Sequence, residues 1–200
     1  LAGFDEFWNT TDASEKPSDY AAENIRGVII WSDNGELGSH WKIAGPEAGS
    51  GDGTFGPTVT GATTGSKPVD GALRTRNETG EVYLDIKVRN RSEQAVPLTT
   101  FCFDAWRSYG GSSERFTLKK MKDDLGEELV IHESELVVQK ASPSAENRDY
   151  QDVSIDLDAL TNSQLEPGQE VHFRLIIHDD NLDKVSGLLI DNLAILGSWN

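Results

Sequence analysis

Three stretches of this chain alternate apolar and polar residues with a period of two. The clearest is residues 81–90, where polar residues such as Tyr83 and Asp85 separate the apolar positions, and residues 151–157 and 170–177 repeat the pattern. Because successive side chains of a β-strand point to opposite faces, each stretch predicts a strand with one face in a core and one toward water. The predicted core positions are Val82, Leu84, Ile86, Val88, Val153, Ile155, Leu157, Val171, Phe173, Leu175 and Ile177.

Further apolar stretches predict more strands. Residues 116–118 and 135–138 indicate short strands. Residues 25–31 and 95–103 are apolar on both faces, as is typical of central strands. Proline has no backbone N–H to give to a ladder, so Pro97 is expected at a strand start or at a sheet edge.

The two ends of the chain complete the fold prediction. Residues 1–8 and 187–197 are apolar segments, and we expect them to form an opening and a closing strand that meet. Turn-forming residues at 77–80 and 166–168 separate strands, and helical periodicity is nearly absent. This organisation predicts one domain over residues 1–200, an all-β, antiparallel two-sheet β-sandwich of jelly-roll type.

Composition narrows the range of partners. The 200 residues carry 34 acidic and 18 basic side chains, for a net charge of −16. That excess opposes binding to nucleic-acid phosphates or anionic lipid, because both need cationic surfaces. It suits calcium or a basic partner, and it equally suits an acidic surface that is simply solvated. No stretch reaches the roughly 18 apolar residues of a membrane-spanning segment.

Two features bear on where the protein resides. Cys102 is the only cysteine, so no disulfide forms within the chain, and its apolar neighbours indicate a buried side chain rather than a nucleophile. The sequence starts at Leu1 without methionine, as a mature chain does after removal of a signal peptide, although a deliberately chosen start would look the same. We therefore expect a secreted protein, extracellular or at the cell surface.

Several short motifs resemble a group of exported bacterial proteins. They are the opening segment 1–8, the loop 52–56, residues 155–160, residues 165–168 and the closing segment 189–197. Through these motifs the chain resembles the PEP-CTERM sorted proteins of Verrucomicrobia and Planctomycetes. The resemblance implies a surface or extracellular-matrix location and implies no single activity.

The two ends also resemble jelly-roll carbohydrate-binding modules, which open with a Gly-Phe-acidic segment and close with an Ile-Asp-Asp or Ile-Asp-Asn segment. The matching residues here are Gly3-Phe4-Asp5 and Ile190-Asp191-Asn192. In several of these modules the opening acidic residue and the closing aspartate share a structural calcium ion. The resemblance therefore implies a calcium site at Asp5 and Asp191.

A second candidate calcium site follows from residue spacing. Asp179, Asn181 and Asp183 lie at alternate positions, so their side-chain oxygens can converge on a hard cation. An EF-hand loop would need glycine and glutamate where the chain has Lys184 and Ile190, so this segment is not an EF-hand. A plain acidic turn explains the same residues.

Four aromatic residues are candidates for stacking against sugar rings. Trp41 and Phe55 flank or lie within the glycine-rich segment 45–67, and Trp106 and Tyr109 precede two glycines. Exposed rings of this kind offer flat apolar platforms, whereas buried ones are ordinary core residues of a sandwich. We predict that these four are exposed platforms.

Signs of catalysis are weak. The histidines show no zinc-binding spacing, and His172 falls on the solvent side of its strand. Acidic residues are numerous, but no two of them stand out as a glycosidase pair, and no nucleophile or phosphate-binding motif occurs. We therefore expect that the protein is not an enzyme.

Three functions remain, in order of preference. The first is a self-assembling structural subunit of a filament or sheath, whose N-terminal strand carries Phe4, Phe7 and Trp8 and is either donated to a neighbouring copy or kept in its own sheet. The second is a calcium-stabilised carbohydrate-binding module, and the third is a polysaccharide-acting enzyme. The expected partners are copies of the chain itself or a polysaccharide.

Overall fold

A computed structural model describes eleven parts of the chain. They are residues 2–4, 15–17, 20–21, 25–32, 41–43, 73–75, 81–107, 115–136, 150–160, 162–178 and 188–197. These residues form β-strands and turns and contain no helix. Within them, accordingly, no helix has the length and apolar character that crossing a bilayer requires.

The strands are numbered in chain order. They are β1 (Ala2–Phe4), β2 (Glu15–Pro17), β3 (Tyr20–Ala21), β4 (Ile25–Ser32), β5 (Trp41–Ile43), β6 (Leu73–Thr75), β7 (Val82–Asn90), β8 (Val96–Pro97), β9 (Thr100–Arg107), β10 (Arg115–Lys120), β11 (Leu129–Glu135), β12 (Gln151–Asp156), β13 (Gln164–Leu165), β14 (Glu170–His178) and β15 (Leu188–Leu196). Every observed pairing between them is antiparallel.

Two large sheets organise these strands. Sheet I has the order β12-β9-β15-β1-β3, and β6 pairs with β15 beyond the end of β1 and carries β5. Sheet II has the order β11-β10-β14-β7-β4-β2. Strands β8 and β13 form a small separate ladder. The predicted opening and closing strands do meet, because Phe4 of β1 pairs with Leu193 of β15.

A single apolar core joins the two sheets. Phe101 of sheet I stacks edge-to-face on Phe173 of sheet II, with ring centroids 5.7 Å apart. Phe103 and Phe116 make the same kind of contact at 5.3 Å. All eleven predicted core residues are buried in this cluster. The prediction of an all-β antiparallel sandwich of jelly-roll type is therefore confirmed.

The structure adds detail to two of the predicted strands. A strand that the sequence did not predict spans Leu129–Glu135 and ends at the first residue of the stretch 135–138; its half-exposed residues without clean alternation give no period-two signal, and residues 137 and 138 lie outside the described residues. The apolar stretch 95–103 divides into β8 and β9 after Pro97. The backbone N–H of Leu98 donates to the carbonyl of Ser163 at 2.6 Å, so the chain leaves one ladder there before it joins the next.

The predicted turn at 166–168 forms directly before β14. The N–H of Gln169 donates to the carbonyl of Glu166 at 3.0 Å, and Gly168 has φ +83°, a value that glycine adopts at little cost. The buried amide of Asn90 fastens this region to β7, because its Nδ2 donates to the carbonyls of Leu165 at 2.8 Å and Gln94 at 2.7 Å. The end of β7 and the start of β14 are therefore held in fixed register.

Candidate functional site

The outward side of sheet II carries a row of polar side chains, which we call the polar face. They alternate with the buried core residues of β7 and β14, so they all point away from the core. The polar face consists of Tyr83, Asp85, Lys87 and Arg89 of β7 and His172 and Arg174 of β14.

At the centre of the polar face, four side chains form one connected network. The guanidinium of Arg174 donates two hydrogen bonds to Asp85, from Nε at 2.6 Å and from Nη2 at 2.7 Å. The Nε2 atom of His172 lies 3.1 Å from the same carboxylate. The guanidinium carbon of Arg174 also lies 4.0 Å from the ring centroid of Tyr83. The ion pair of Arg174 and Asp85 thus holds the Tyr83 ring and the N–H donors of the guanidinium in place on one surface.

The electrostatics agree with this geometry. Burial by itself raises the pKa of Asp85, but the adjacent His172 ring and the two hydrogen bonds from Arg174 outweigh burial, so the pKa is lowered overall. The hydrogen bond with Asp85 likewise raises the pKa of Arg174. Both groups are therefore charged at neutral pH, and the network is held together by charge-assisted bonds.

Two outward-pointing residues beside Tyr83 are buried. Ile176 is the cross-strand partner of Tyr83, and Thr117 is the cross-strand partner of Ile176. Both point outward by alternation, yet they are only 8% and 5% exposed. Tyr83 is therefore flanked on this side of β7 by one apolar and one polar side chain that are both buried.

A hydrogen-bonded chain that begins at Thr117 has the connectivity of a catalytic triad. Thr117 Oγ1 lies 2.7 Å from His178 Nε2, and His178 Nδ1 lies 2.7 Å from Glu81 Oε1. The hydroxyl is buried, however, and β10 pairs on both sides, so the surrounding backbone N–H groups are used in ladders. Acyl transfer needs an accessible nucleophile and free donors for an oxyanion, and this arrangement provides neither.

A second polar cluster lies inside sheet I. Asp104 of β9 and Asp191 of β15 are cross-strand partners and are fully buried. Beside them, Asn192 has φ +47° in a bulge of β15, and its Nδ2 donates to Asp104 Oδ2 at 2.8 Å. Asparagine tolerates this left-handed conformation better than most residues. The predicted metal ligand Asp191 therefore lies in a built polar site.

The other predicted metal ligands are not placed. Phe4 pairs with Leu193, so β1 ends two residues along β15 from Asp191, and Asp5 is the next residue in the chain. Asp5 itself lies outside the described residues, as do Asp179, Asn181 and Asp183. Within the described ranges, no three His, Cys, Asp or Glu side chains are grouped as metal ligands.

The structure corrects one of the four predicted aromatic platforms. Trp106 is only 7% exposed, because it packs in a small cluster with Tyr150 and Leu189 on sheet I. Trp41 lies in β5, and Phe4 lies in β1. The platforms Phe55 and Tyr109 and the assembly residues Phe7 and Trp8 fall outside the described residues.

The single cysteine is buried, as its apolar neighbours predict. Cys102 Sγ lies 3.6 Å from the carbonyl oxygen of Ala194. Burial, helped by the charge of Asp104, raises the pKa of the Cys102 thiol to about 12. A thiol with such a pKa is neutral at physiological pH, so it is a poor nucleophile.

Sequence reasoning missed the central network of the polar face. The alternation of polar and apolar residues identifies Tyr83, Asp85 and His172 only as side chains on the solvent side of their strands. The signal that joins them is the strand register, which places Asp85 directly opposite Arg174 across 89 residues of chain. Alternation within one strand does not reveal which strand will be its neighbour.

No protein-family model and no curated protein sequence matches this chain. Solved structures with similar folds include the K1 cleaved adhesin domain of Lys-gingipain from Porphyromonas gingivalis W83, at 15% identity over 100% of both chains with a TM-score of 0.47. TmCBM61 in complex with β-1,4-galactotriose matches at 13% identity over 80% of this chain and 90% of its own, with a TM-score of 0.39. The family 11 carbohydrate-binding module from Clostridium thermocellum matches at 12% identity over 94% and 98%, with a TM-score of 0.37. The fold assignment of this chain rests on its own strand register and core.

Proposed function

We propose that this chain is a non-catalytic carbohydrate-binding module and that the polar face of sheet II holds the glycan. The observation that carries the proposal is the fixed network of Tyr83, Asp85, His172 and Arg174. It combines an aromatic ring with donors and acceptors that converge on one outward surface. A specific ligand site needs a small number of such groups that are already in position before the ligand binds.

The network retains hydrogen-bonding capacity for a ligand. A guanidinium has five N–H donors, and Asp85 engages two of those of Arg174. A carboxylate has about four acceptor positions, so Asp85 is not saturated by Arg174 and His172. Adjacent hydroxyls of a sugar present paired donors and acceptors at the spacing of these forked groups. Because the network is already ordered, binding loses little side-chain entropy.

A non-catalytic role suits the geometry around Thr117, where the triad-like chain has no accessible nucleophile. An extracellular or cell-surface location fits the resemblance to exported proteins noted in the sequence and remains part of the proposal. Polysaccharide is then the expected partner, and turnover of it is not expected.

The test is affinity electrophoresis against a panel of soluble neutral and acidic polysaccharides. Tyr83→Ala and Arg174→Ala should each weaken binding of the retained polysaccharide about tenfold or more, whereas Tyr83→Phe, which keeps the ring, should bind nearly as well as the wild type. Leu196→Ala is the control, since Leu196 is an exposed apolar residue of β15, which belongs to sheet I and not to the polar face. Binding that survives both alanine substitutions would refute the proposed site.

A calcium ion is a second part of the proposal, because the buried cluster of sheet I offers the hard oxygen donors that calcium prefers. Asp104, Asp191 and Asn192 fit such an ion by chemistry and burial, and the adjacent end of β1 would bring Asp5. The ion would stabilise the junction of the opening and closing strands.

Self-assembly is the alternative function. Within the single chain, β1 lies between β15 and β3 and pairs with both. A three-residue terminal strand in that position can be replaced by the same strand from another copy, which would link copies head to tail. Deleting residues 1–8 should then leave a soluble subunit that no longer polymerises. Polymers of wild-type length from the truncated chain would rule out strand donation.

A further inference from the structure

The polar face ends in a cluster of cations at one end of sheet II. Arg89 of β7 and Arg26 of β4 are direct cross-strand partners, and both are exposed. Lys87 lies two residues before Arg89 on the same side of β7 and is half-buried. We call Arg26, Lys87 and Arg89 the basic end.

In the part of the chain that the structure describes, one acidic side chain faces the basic end without pairing to it. None of its three side chains forms an ion pair or a hydrogen bond there, although Glu170 is the other cross-strand partner of Arg89. Other cations of sheet II and its adjoining loop are paired with glutamates: Arg115 with Glu133 at 3.6 Å, Lys119 with Glu128 at 3.1 Å and Lys122 with Glu127 at 2.9 Å.

This arrangement does not serve the fold. Like charges directly opposite each other on neighbouring strands are destabilising, and Arg26 and Arg89 stand in that relation. Three cations beside a single glutamate, in a protein of net charge −16, favour an anionic ligand at this end of the polar face. The net charge describes the whole surface and not this end of the polar face.

We infer that the glycan bound on the polar face is an anionic polysaccharide whose carboxylates contact the basic end. The inference rests on the proposed function and specifies the class of its ligand. A planar guanidinium matches a carboxylate through two parallel hydrogen bonds, and a lysine ammonium adds a point charge. Uronic acids present such a carboxylate on the sugar ring itself.

The geometry of β7 places the two kinds of contact on one line. Outward residues of a strand are spaced by roughly 7 Å, so Tyr83, Asp85, Lys87 and Arg89 extend over about 20 Å. A glycan lying along β7 would contact the pair of Tyr83 and Arg174 at one end and reach the cations at the other. A duplex nucleic acid, with its far denser charge, would meet only three cations against the acidic remainder of the chain.

The experiment compares two polymers with the same sugar backbone, one with free carboxylates and one with neutral methyl esters. Polygalacturonate and its fully methyl-esterified form have the same sugar backbone, and both are tested by affinity electrophoresis with the whole chain. The acidic polymer should bind at least about tenfold more tightly, and that advantage should shrink as salt is raised from 50 to 500 mM, since exposed charge pairs are screened.

Variants locate the effect. Arg89→Gln should weaken binding of polygalacturonate about fivefold, as expected for one exposed charge pair. Lys122→Gln is the matched control, because it removes the same charge from a side chain that is 74% exposed and lies in the β10–β11 connection. Both substitutions are at the surface, and a melting curve for each checks that folding is unaffected.

The outcomes separate this inference from the proposed function. If both polymers bind equally and Tyr83→Ala weakens both, the glycan site stands and the anionic class is wrong. If no polysaccharide of the panel binds, the proposed function fails as well. Equal loss of polygalacturonate binding in Arg89→Gln and Lys122→Gln would also overturn the inference, since it would reflect net charge alone. A DNA duplex retained more tightly than polygalacturonate through Arg89 would replace the glycan with a different partner.

Discussion

Replacing Asp85 with asparagine removes the charge that joins Arg174 and His172 while nearly preserving the shape of the side chain. The wild-type carboxylate has three polar contacts, at 2.6, 2.7 and 3.1 Å. Hydrogen bonds to charged groups contribute about 1.5–3 kcal/mol each to stability when well shielded. The asparagine retains one acceptor, and the Arg174 side chain is 26% exposed, so we expect Asp85→Asn to lower the free energy of unfolding by about 2 kcal/mol at pH 7.

The pH dependence of this difference follows from the lowered pKa of Asp85. The carboxylate is charged in both the folded and the unfolded chain well above its ordinary pKa of 3.8, so its full contribution to stability is present there. As the pH falls below about 4, the unfolded chain binds a proton first, and the contribution is lost as the pH passes through the folded-state pKa. The wild type should therefore lose its advantage over Asp85→Asn in acid.

Urea denaturation of both proteins at pH 7 and near pH 2.5 measures the two differences directly. The midpoints should be well separated at neutral pH and should converge in acid. A difference below about 0.5 kcal/mol at pH 7 would show that the network is a loose surface pair. A difference of constant size at both pH values would show that the charge of Asp85 is not its source.

Three further predictions concern the sheets that support the site. Asn90→Ala should lower the free energy of unfolding by about 3 kcal/mol, because the side chain of Asn90 makes four hydrogen bonds and the Leu165 carbonyl would lose its donor. Thermal unfolding measures this, and a melting temperature lowered by less than about 2 °C would contradict it. If calcium joins Asp191 to Asp5, EDTA should lower the melting temperature by about 4 °C or more, and an unchanged value would exclude a structural ion. Cys102, whose thiol pKa is raised to about 12, should resist Ellman's reagent at pH 8 in the folded protein and react fully in 8 M urea; rapid reaction of the folded chain would contradict its burial.

The sequence predicts the core of this fold because the signal is local. In β7 and β14, period-two alternation marks every inward residue, and those positions are all buried. Residues 129–134 of strand β11 are not predicted because the strand lies at a sheet edge, where half-exposed residues such as His132 and Val130 need not alternate. Local pattern thus locates strands that bury one face and misses those that bury neither.

The site is less predictable because it depends on pairing between distant strands. To predict the Asp85–Arg174 hydrogen bonds, one must know that β7 lies beside β14 and in which register the two strands pair. The sequence predicts the large aromatic residue Trp106 as a sugar platform, yet its side chain is buried, while the smaller Tyr83 lies on the polar face. Size and loop position alone do not tell whether a ring faces a core or a ligand. The Asp191-Asn192 pair, in contrast, was visible as a polar interruption of an apolar strand.

The most direct test of glycan binding on sheet II is an NMR titration of the isotopically labelled chain with tetragalacturonate and with cellotetraose as a neutral comparison. The proposed function predicts that the amide shifts that move with either oligosaccharide cluster in residues 82–85 and 172–176, and that the acidic oligosaccharide alone also moves the amides of Arg26, Lys87 and Arg89. Shifts confined to strands of sheet I, or no shifts with either oligosaccharide at millimolar concentration, would contradict it.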